Sequence, residues 1–302
     1  MSEQRPRPII ITDQTHGLPF SKGLLARSFT ATGLSPTLAY VVAQEVEDEL
    51  QEHAQDTISS ADLRDLAARH LRERAGDQVA LRYLRLREIS RMERPLIVLI
   101  GGTTGVGKST IATELAHRLG INRISSTDSI REVMRGIFTK DLMPAIYESA
   151  FDAWRGLRVP APEGANPVIV GFREQTAVVT TGVKALIDRA VLEGISMIIE
   201  GIHIVPGYLD PKKIAGARVV QVIIAVEDEQ AHLSHFYMRD AQTKGSRPTE
   251  RYRVNFPNIR LLGRYIEDLA REHQIPVVHS HQFDRTVADV LEHVVATAMT
   301  TE

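Results

Sequence analysis

One short segment near the middle of the chain limits its fold more than any other feature. Residues 102–109 read Gly-Thr-Thr-Gly-Val-Gly-Lys-Ser, which fits G-x-x-x-x-G-K-[ST] at every fixed position. The apolar run 96–100 before it predicts a buried strand, and 108–119 reads as a helix. Glycines between a strand and a helix let successive backbone N–H groups face phosphate oxygens at the positive helix start. The sequence therefore predicts a P-loop NTPase fold.

The residues of this phosphate loop predict a nucleotide site. We expect Lys108 to lie at an exposed loop end, to contact the β and γ phosphates and to act in catalysis. The hydroxyl of Ser109 is expected to ligate Mg²⁺. The predicted nucleotide-binding set is Gly102, Thr103, Thr104, Gly105, Val106, Gly107, Lys108, Ser109 and Thr110.

Two acidic residues follow other predicted strands. Asp128 comes just after the strand 121–125 and could accept a proton from a substrate hydroxyl or hold a magnesium-bound water, while capping the next helix is its structural alternative. Glu200 ends the apolar strand 197–199 at a Walker-B position, where it would orient Mg²⁺ through water. His203, at the same strand end, is as readily structural as functional.

A basic stretch near the C-terminal end is the third feature. Between positions 239 and 264 only Asp240 and Glu250 oppose seven basic residues, and guanidinium groups pair with phosphates. A lid near 239–256 is therefore expected, with Arg239 stabilising the transferred phosphoryl group, and a solvated helix face is the alternative. The histidine pairs 232/235 and 279/281 lack a third ligand, which disfavours a histidine metal site.

The pattern of the chain indicates two domains. Residues 1–92 read as mainly helical, with helices at 60–71 and 77–89, a helix capped by Ser35 and a strand only at 9–12. In 93–302 strands alternate with helices such as 176–193, which predicts an α/β domain with a parallel sheet and an insertion near 140–175. Further strands are expected at 219–226 and 276–279.

Composition excludes several classes of protein. The 302 residues are 43% hydrophobic and 25% charged, a globular balance without a membrane-spanning run. Cysteine is absent, so a reducing cytoplasm is expected and disulfides are excluded. The net charge of −2 disfavours a nucleic-acid partner.

With these residues in view, the chain resembles the archaeal and bacterial 2-phosphoglycerate kinase family over nearly its whole length. The segment 18–25 and the helices up to about Arg91 resemble that family's ATP-cone domain. The phosphate loop, 126–131, 171–175, 275–278 and above all Glu-Gly-Ile-His-Ile-Val-Pro-Gly at 200–207 resemble its kinase domain.

The resemblance implies transfer of a phosphoryl group from ATP to the C3 hydroxyl of 2-phosphoglycerate, giving 2,3-bisphosphoglycerate. We expect Asp128, Arg131 and Arg173 to bind the acceptor, together with Arg239. The string 146–151 departs from the family pattern, so 3-phosphoglycerate as acceptor and GTP as donor stay open. A nucleotide-sensing regulator and a kinase of nucleic acids are the competing functions, and a homo-oligomer also stays open.

Overall fold

A computed structural model describes residues 9–12, 17–53, 56–242 and 249–300, with side chains described except at 238–242 and 249. Within these ranges the chain divides into two compact units. One runs up to Met92 and includes His117–Gly120, and the other holds Glu93–Ala116 and the chain from Ile121 onward. In the described ranges no helix is both long and apolar enough to cross a membrane.

The first unit combines a small sheet with four helices. Its elements are β1 (Ile10–Thr12), β2 (Gly17–Pro19), α1 (Lys22–Thr30), α2 (Pro36–Glu52), β3 (Thr57–Ser59), α3 (Ser60–Ala75) and α4 (Asp77–Ile89). The sheet order is β2-β1-β3, with β1 antiparallel to β2 and parallel to β3. The expectation of a single strand in this region is therefore wrong.

The helices of the first unit follow the sequence closely. The hydroxyl of Ser35 accepts a hydrogen bond from the backbone N–H of Leu38, as expected of an N-cap before a proline at the first helical position. Val42 and Val46 of α2 are fully buried in a core that also holds Phe29 and Tyr83, whose rings meet edge to face at 5.5 Å.

The second unit is a parallel sheet with helices, which confirms the predicted fold class. Its elements are β4 (Leu96–Gly101), α5 (Lys108–Leu119), β5 (Arg123–Ser126), α6 (Thr127–Ile137), α7 (Pro167–Glu193), β6 (Met197–Glu200), β7 (Arg218–Ala225), α8 (Glu229–Gln242), α9 (Thr249–Val254), α10 (Phe256–Glu272), β8 (Val277–His279) and α11 (Phe283–Met299). The strand order is β5-β6-β4-β7-β8, and all four pairings are parallel.

The core of this unit lies against the central strand. All six residues of β4 are buried, which requires cover on both of its faces. Ile97 and Leu99 pack in a cluster with α6 and α7. A second cluster combines residues of α10 and α7 with the segments 150–151 and 202–205 and with Phe236 of α8. Helix α7 begins at Pro167, nine residues before its predicted start, because Asn166 caps it and the proline is accommodated in its first turn. Between α6 and α7 the insertion contains two 3₁₀ segments, Pro144–Tyr147 and Ala150–Gly156.

Candidate active site

The strand register brings the predicted phosphate loop and both acidic residues to one edge of the sheet. Ile100 of β4 and Ser126 of β5 both pair with Glu200 of β6, so these three strands end side by side. The phosphate loop follows β4 and Asp128 follows β5. In parallel α/β sheets, ligands bind at this carboxyl edge.

Two glycines shape the phosphate loop for specific steric reasons. Gly102 has φ of 130°, and a Cβ there would lie 2.2 Å from the carbonyl oxygen of Ile224. Gly105 has φ of 89°, and a Cβ there would lie 2.4 Å from the ring of Phe236. A side chain at either position would both strain the backbone and collide with its neighbour.

Lys108 is buried rather than exposed, which corrects the expectation for its position. Its side chain folds back over the loop, and Nζ donates a hydrogen bond of 2.7 Å to the carbonyl oxygen of Thr103. Burial lowers the pKa of the Lys108 ammonium, while the nearby carboxylates of Glu200 and Asp128 act in the opposite direction. The ammonium is therefore held beside the loop, where an anionic ligand would stabilise its charged form.

Ser109 and Glu200 form a pair of oxygen donors that suits a magnesium ion. The hydroxyl of Ser109 donates a 2.8 Å hydrogen bond to Oε1 of Glu200. Glu200 is only 7% exposed. Mg²⁺ prefers hard oxygen ligands and keeps several of its waters, so few protein ligands suffice. A buried carboxylate that meets a phosphate-loop hydroxyl fits that requirement.

Asp128 lies in the first turn of α6 but is not its cap. Ser126 has extended backbone angles, and its hydroxyl accepts a 3.0 Å hydrogen bond from the backbone N–H of Ser129. The alternative interpretation of Asp128 as an N-cap is therefore wrong. The Asp128 side chain is 64% exposed and pairs with Nη2 of Arg131 at 3.6 Å, which leaves carboxylate oxygen accessible.

Arg131 connects this helix to the insertion. Its Nη1 donates to the carbonyl oxygens of Ile146 at 3.0 Å and Glu148 at 2.9 Å, while Nη2 faces Asp128. The guanidinium thus fixes the insertion backbone and stands beside the carboxylate predicted to receive the acceptor.

The other two arginines predicted to meet substrate are placed differently. Arg173 lies on α7 and lines a separate cavity of about 690 Å³ with Tyr208, Tyr265 and His273. A hydrogen bond with Tyr208 raises its pKa further above the usual value. The backbone of Arg239 belongs to α8, but its side chain lies outside the described ones.

The cavity over the phosphate loop includes residues that sequence patterns did not indicate. It has a volume of about 370 Å³ and contains Asp128, Glu200 and the loop itself, but none of the residues around Arg173. His235, His281 and Phe283 also line it. These three lie more than 120 residues after the loop in the chain, and the sequence singled out only the two histidines, as members of disfavoured metal pairs rather than as part of this site.

Two histidines of α8 hold the outer part of the phosphate loop. Nε2 of His232 donates to the carbonyl oxygen of Thr104 at 2.8 Å, and Nδ1 of His235 donates to that of Gly105 at 2.9 Å. His232 is fully buried and stacks on Phe236, and burial lowers its pKa to about 4. His232 is thus neutral and holds the phosphate loop by its hydrogen bond to Thr104.

The basic stretch is partly neutralised by protein partners. Arg251 donates to the hydroxyl of Ser149 at 2.7 Å, and Arg253 pairs with Glu250 at 2.7 Å. Arg260 donates to the carbonyl oxygens of Val226 and Glu227. Lys244 and Arg247, in the middle of the predicted lid, lie outside the described residues. The structure describes four arginine side chains of this stretch, and three of them, Arg251, Arg253 and Arg260, have protein partners.

Comparison with known proteins places the chain among named kinases. A family model described as the ATP cone domain matches residues 10–92. A "2-phosphoglycerate kinase" from Methanopyrus kandleri is 41% identical over 95% of this chain and 87% of its own length. One of the same name from Methanothermobacter thermautotrophicus is 42% identical over 93% of this chain and 92% of its own length. A solved shikimate kinase from Acinetobacter baumannii aligns with 71% of this chain and 99% of its own, at 18% identity and a TM-score of 0.40.

Proposed function

Because this chain belongs to the 2-phosphoglycerate kinase family, we propose that it transfers the γ-phosphoryl group of ATP to the C3 hydroxyl of 2-phosphoglycerate. The observation that carries this proposal is the single cavity shared by the phosphate loop, Glu200 and Asp128. It offers a donor site and an accessible carboxylate for the acceptor side by side. A pure nucleotide sensor would have no use for the second.

In the proposed reaction the phosphate loop binds the nucleotide. The backbone N–H groups of the loop and the Lys108 ammonium meet the β and γ phosphates, so the negative charge that develops during transfer is stabilised without reorganisation. Ser109 and Glu200 would hold Mg²⁺, which neutralises phosphate charge when it is bound. Thr110, at the start of α5, completes the proposed nucleotide-binding set.

Asp128 and Arg131 serve the acceptor in this proposal. The new bond forms between the C3 oxygen and the γ phosphorus, the bond to the leaving nucleoside diphosphate breaks, and the hydroxyl proton passes to Asp128 or to solvent. Arg131 is placed to neutralise the anionic groups of a phosphoglycerate beside Asp128. Arg173 lines a different cavity, so its proposed contact with the acceptor, like that of Arg239, requires a movement that brings the side chain to the cavity of Asp128.

The test is a panel of acceptors with separate kinetics for each. The full chain is incubated with 2-phosphoglycerate, 3-phosphoglycerate or glycerate, each with ATP or GTP and Mg²⁺, and products are identified by ³¹P NMR. Both phosphoglycerates would yield the same bisphosphate, so each isomer is supplied free of the other and kcat/KM is measured for each. The proposal requires the highest kcat/KM for 2-phosphoglycerate with ATP. Turnover only with 3-phosphoglycerate or with GTP would reject the assigned acceptor or donor.

For the first unit we propose a regulatory nucleotide site, since its residues 10–92 match the ATP cone domain. In this proposal residues 1–92 form the nucleotide-binding regulatory domain and residues 93–302 form the kinase domain. Calorimetric titration with ATP should give two binding events in the wild type and one in Lys108→Ala, which disables the phosphate loop. Loss of all ATP binding in that variant would leave no site for the first unit.

A further inference from the structure

His203 is a buried histidine that the proposed reaction does not use. It lies three residues beyond Glu200, is 1% exposed, and both of its ring nitrogens have partners. Nδ1 lies 3.0 Å from Oγ1 of Thr127, and Nε2 lies 2.8 Å from Oε1 of Gln175. Thr127 and Gln175 are both fully buried, so the three side chains form a polar group within the core.

The direction of the hydrogen bonds in this group follows from the partners of Gln175, because carbonyl oxygens can only accept. The amide nitrogen of Gln175 donates to the carbonyl oxygens of Ala145 at 2.6 Å and Glu148 at 3.0 Å. Oε1 of Gln175 is therefore an acceptor, and Nε2 of His203 must carry the proton. Burial lowers the pKa of His203 to about 3, so the ring is neutral and its Nδ1 accepts from the hydroxyl of Thr127.

Gln175 is also linked to Arg131 and Asp128, on the proposed acceptor side, through the insertion backbone. The carbonyl oxygen of Glu148 that receives Gln175 also receives Nη1 of Arg131, whose Nη2 faces Asp128. Asp128 directly follows Thr127 in the chain. A closed circuit of contacts therefore joins the start of α6, the residues after β6, the N-terminal half of α7 and the insertion.

The local backbone makes room for this circuit. Gly201 has φ of 152°, and a Cβ there would lie 1.8 Å from Oγ1 of Thr127. Apolar side chains of similar size could fill the space around Thr127 and His203 without directed hydrogen bonds. Buried polar networks cost free energy unless they are fully satisfied, and their benefit is a fixed geometry.

We propose that Thr127, His203 and Gln175 are positioning residues that hold Asp128 and Arg131 in register with the phosphate loop for the acceptor. The inference rests on the proposed function, in which Asp128 and Arg131 meet the acceptor. None of the three positioning residues is assigned a contact with substrate. Their effect passes through the first turn of α6 and through the backbone of the insertion.

A matched pair of substitutions at Thr127 tests this role. Thr127→Val keeps the shape and removes the hydroxyl, whereas Thr127→Ser keeps the hydroxyl and removes a methyl group. With acceptor varied at saturating nucleotide, kcat/KM should fall about 100-fold in Thr127→Val, the cost typical of a displacement of about 1 Å. The KM for nucleotide should change less than about twofold, and Thr127→Ser should stay within about threefold of wild type. Equal losses in the two variants, or equal rises in both KM values, would overturn the positioning role.

His203 supplies a second pair should Thr127→Val fail to fold. The amide of His203→Asn can replace Nδ1 toward Thr127, and that of His203→Gln can replace Nε2 toward Gln175, so each breaks the circuit at one point. Both should lower acceptor kcat/KM at unchanged nucleotide KM. Wild-type kinetics in either would overturn the role.

A measurement without turnover separates this inference from the proposed function. Amide hydrogen exchange of the peptide 144–150 should be faster in Thr127→Val than in Thr127→Ser, because the insertion backbone depends on the circuit. If the wild type does not phosphorylate 2-phosphoglycerate, the proposed function fails while the exchange experiment still decides whether the circuit exists. Equal exchange in the two variants rejects the circuit, whatever the substrate.

Discussion

Asp128→Asn is the substitution that most sharply separates chemistry from structure at the proposed site. The asparagine keeps the size of the side chain and removes only its charge and its basicity. Asp128 does not cap α6, because Ser126 does, so the helix start is not disturbed. What the fold loses is a 3.6 Å contact with Arg131 by a carboxylate that is 64% exposed, and a negative charge in the first helical turn.

The structure sets the two expected magnitudes far apart. An exposed ion pair contributes about 0–1 kcal/mol, and the 3.6 Å contact, longer than a hydrogen bond, stands at the low end of that range. With about 0.3–1 kcal/mol for a first-turn charge, the unfolding free energy should fall by about 1 kcal/mol or less. General base help is worth about 10²–10⁴-fold in rate. Because phosphoryl transfer passes through a loose transition state, we expect the lower end, about 100-fold in kcat. That corresponds to about 2.7 kcal/mol of activation free energy.

The assay measures kcat with acceptor and nucleotide varied separately, nucleotide affinity by calorimetry and the unfolding free energy by denaturant titration. Glu132→Gln is the matched control, because Glu132 lies on the same helix, is 65% exposed and pairs with Arg135 at 2.8 Å. The control should lose a similar, small amount of stability and no activity. A wild-type kcat in Asp128→Asn would refute the assigned role and move the acceptor site elsewhere.

Three further predictions follow from the buried groups. Lys108→Ala should lower kcat/KM at least about 10²–10³-fold with an unchanged circular dichroism spectrum, and near-normal turnover would exclude the phosphate-loop assignment. Glu200→Gln keeps a partner for the Ser109 hydroxyl but removes the negative charge, so the Mg²⁺ concentration for half-maximal activity should rise about tenfold or more. An unchanged magnesium dependence would contradict this prediction. The pKa values of His203 and His232 lie below 6.5 in the fold, so the unfolded chain takes up protons first as the pH falls. The unfolding free energy should therefore drop by about 2 kcal/mol for each histidine between pH 7.5 and 5, and denaturation midpoints that stay flat over this range would contradict it.

Local sequence predicted the strand and the helix around the phosphate loop because both are continuous segments with their own apolar pattern. The helix 108–119 begins and ends where the apolar pattern indicated, and β4 ends one residue later than expected. Short elements with distant partners were missed. Strands β2 and β3 have three residues each, and β1 pairs with residues 57–59, far along the chain, so neither strand shows an alternating pattern of its own.

The details of the site that depend on tertiary packing were beyond the sequence. The spacing of the histidines gives no sign that His235 of α8 and His281, which lies between β8 and α11, both line the cavity over the phosphate loop. Lys108 was expected to be exposed because loops usually are, but the loop's own carbonyl at Thr103 captures its ammonium. The partners of Lys108 and His235 are main-chain carbonyl oxygens of the phosphate loop, and the positions of these oxygens follow from the folded backbone rather than from residue types.

The insertion string 146–151 is the segment that we expect to depart from the family pattern and that therefore leaves the acceptor open. Arg131 and Gln175 contact main-chain carbonyl oxygens of Ile146 and Glu148 in this string and of Ala145 just before it, and a residue with any side chain supplies such an oxygen. Ile146 and Phe151 are buried, so their identities serve packing rather than substrate. Tyr147 and Ser149 are different, because the hydroxyl of Tyr147 donates to the carbonyl oxygens of Arg135 and Phe138 and that of Ser149 accepts from Arg251. Different side chains in this string would therefore leave the anchoring of the acceptor side intact. We expect them to act on the acceptor through packing and through the contacts of Tyr147 and Ser149, rather than through loss of the circuit around His203.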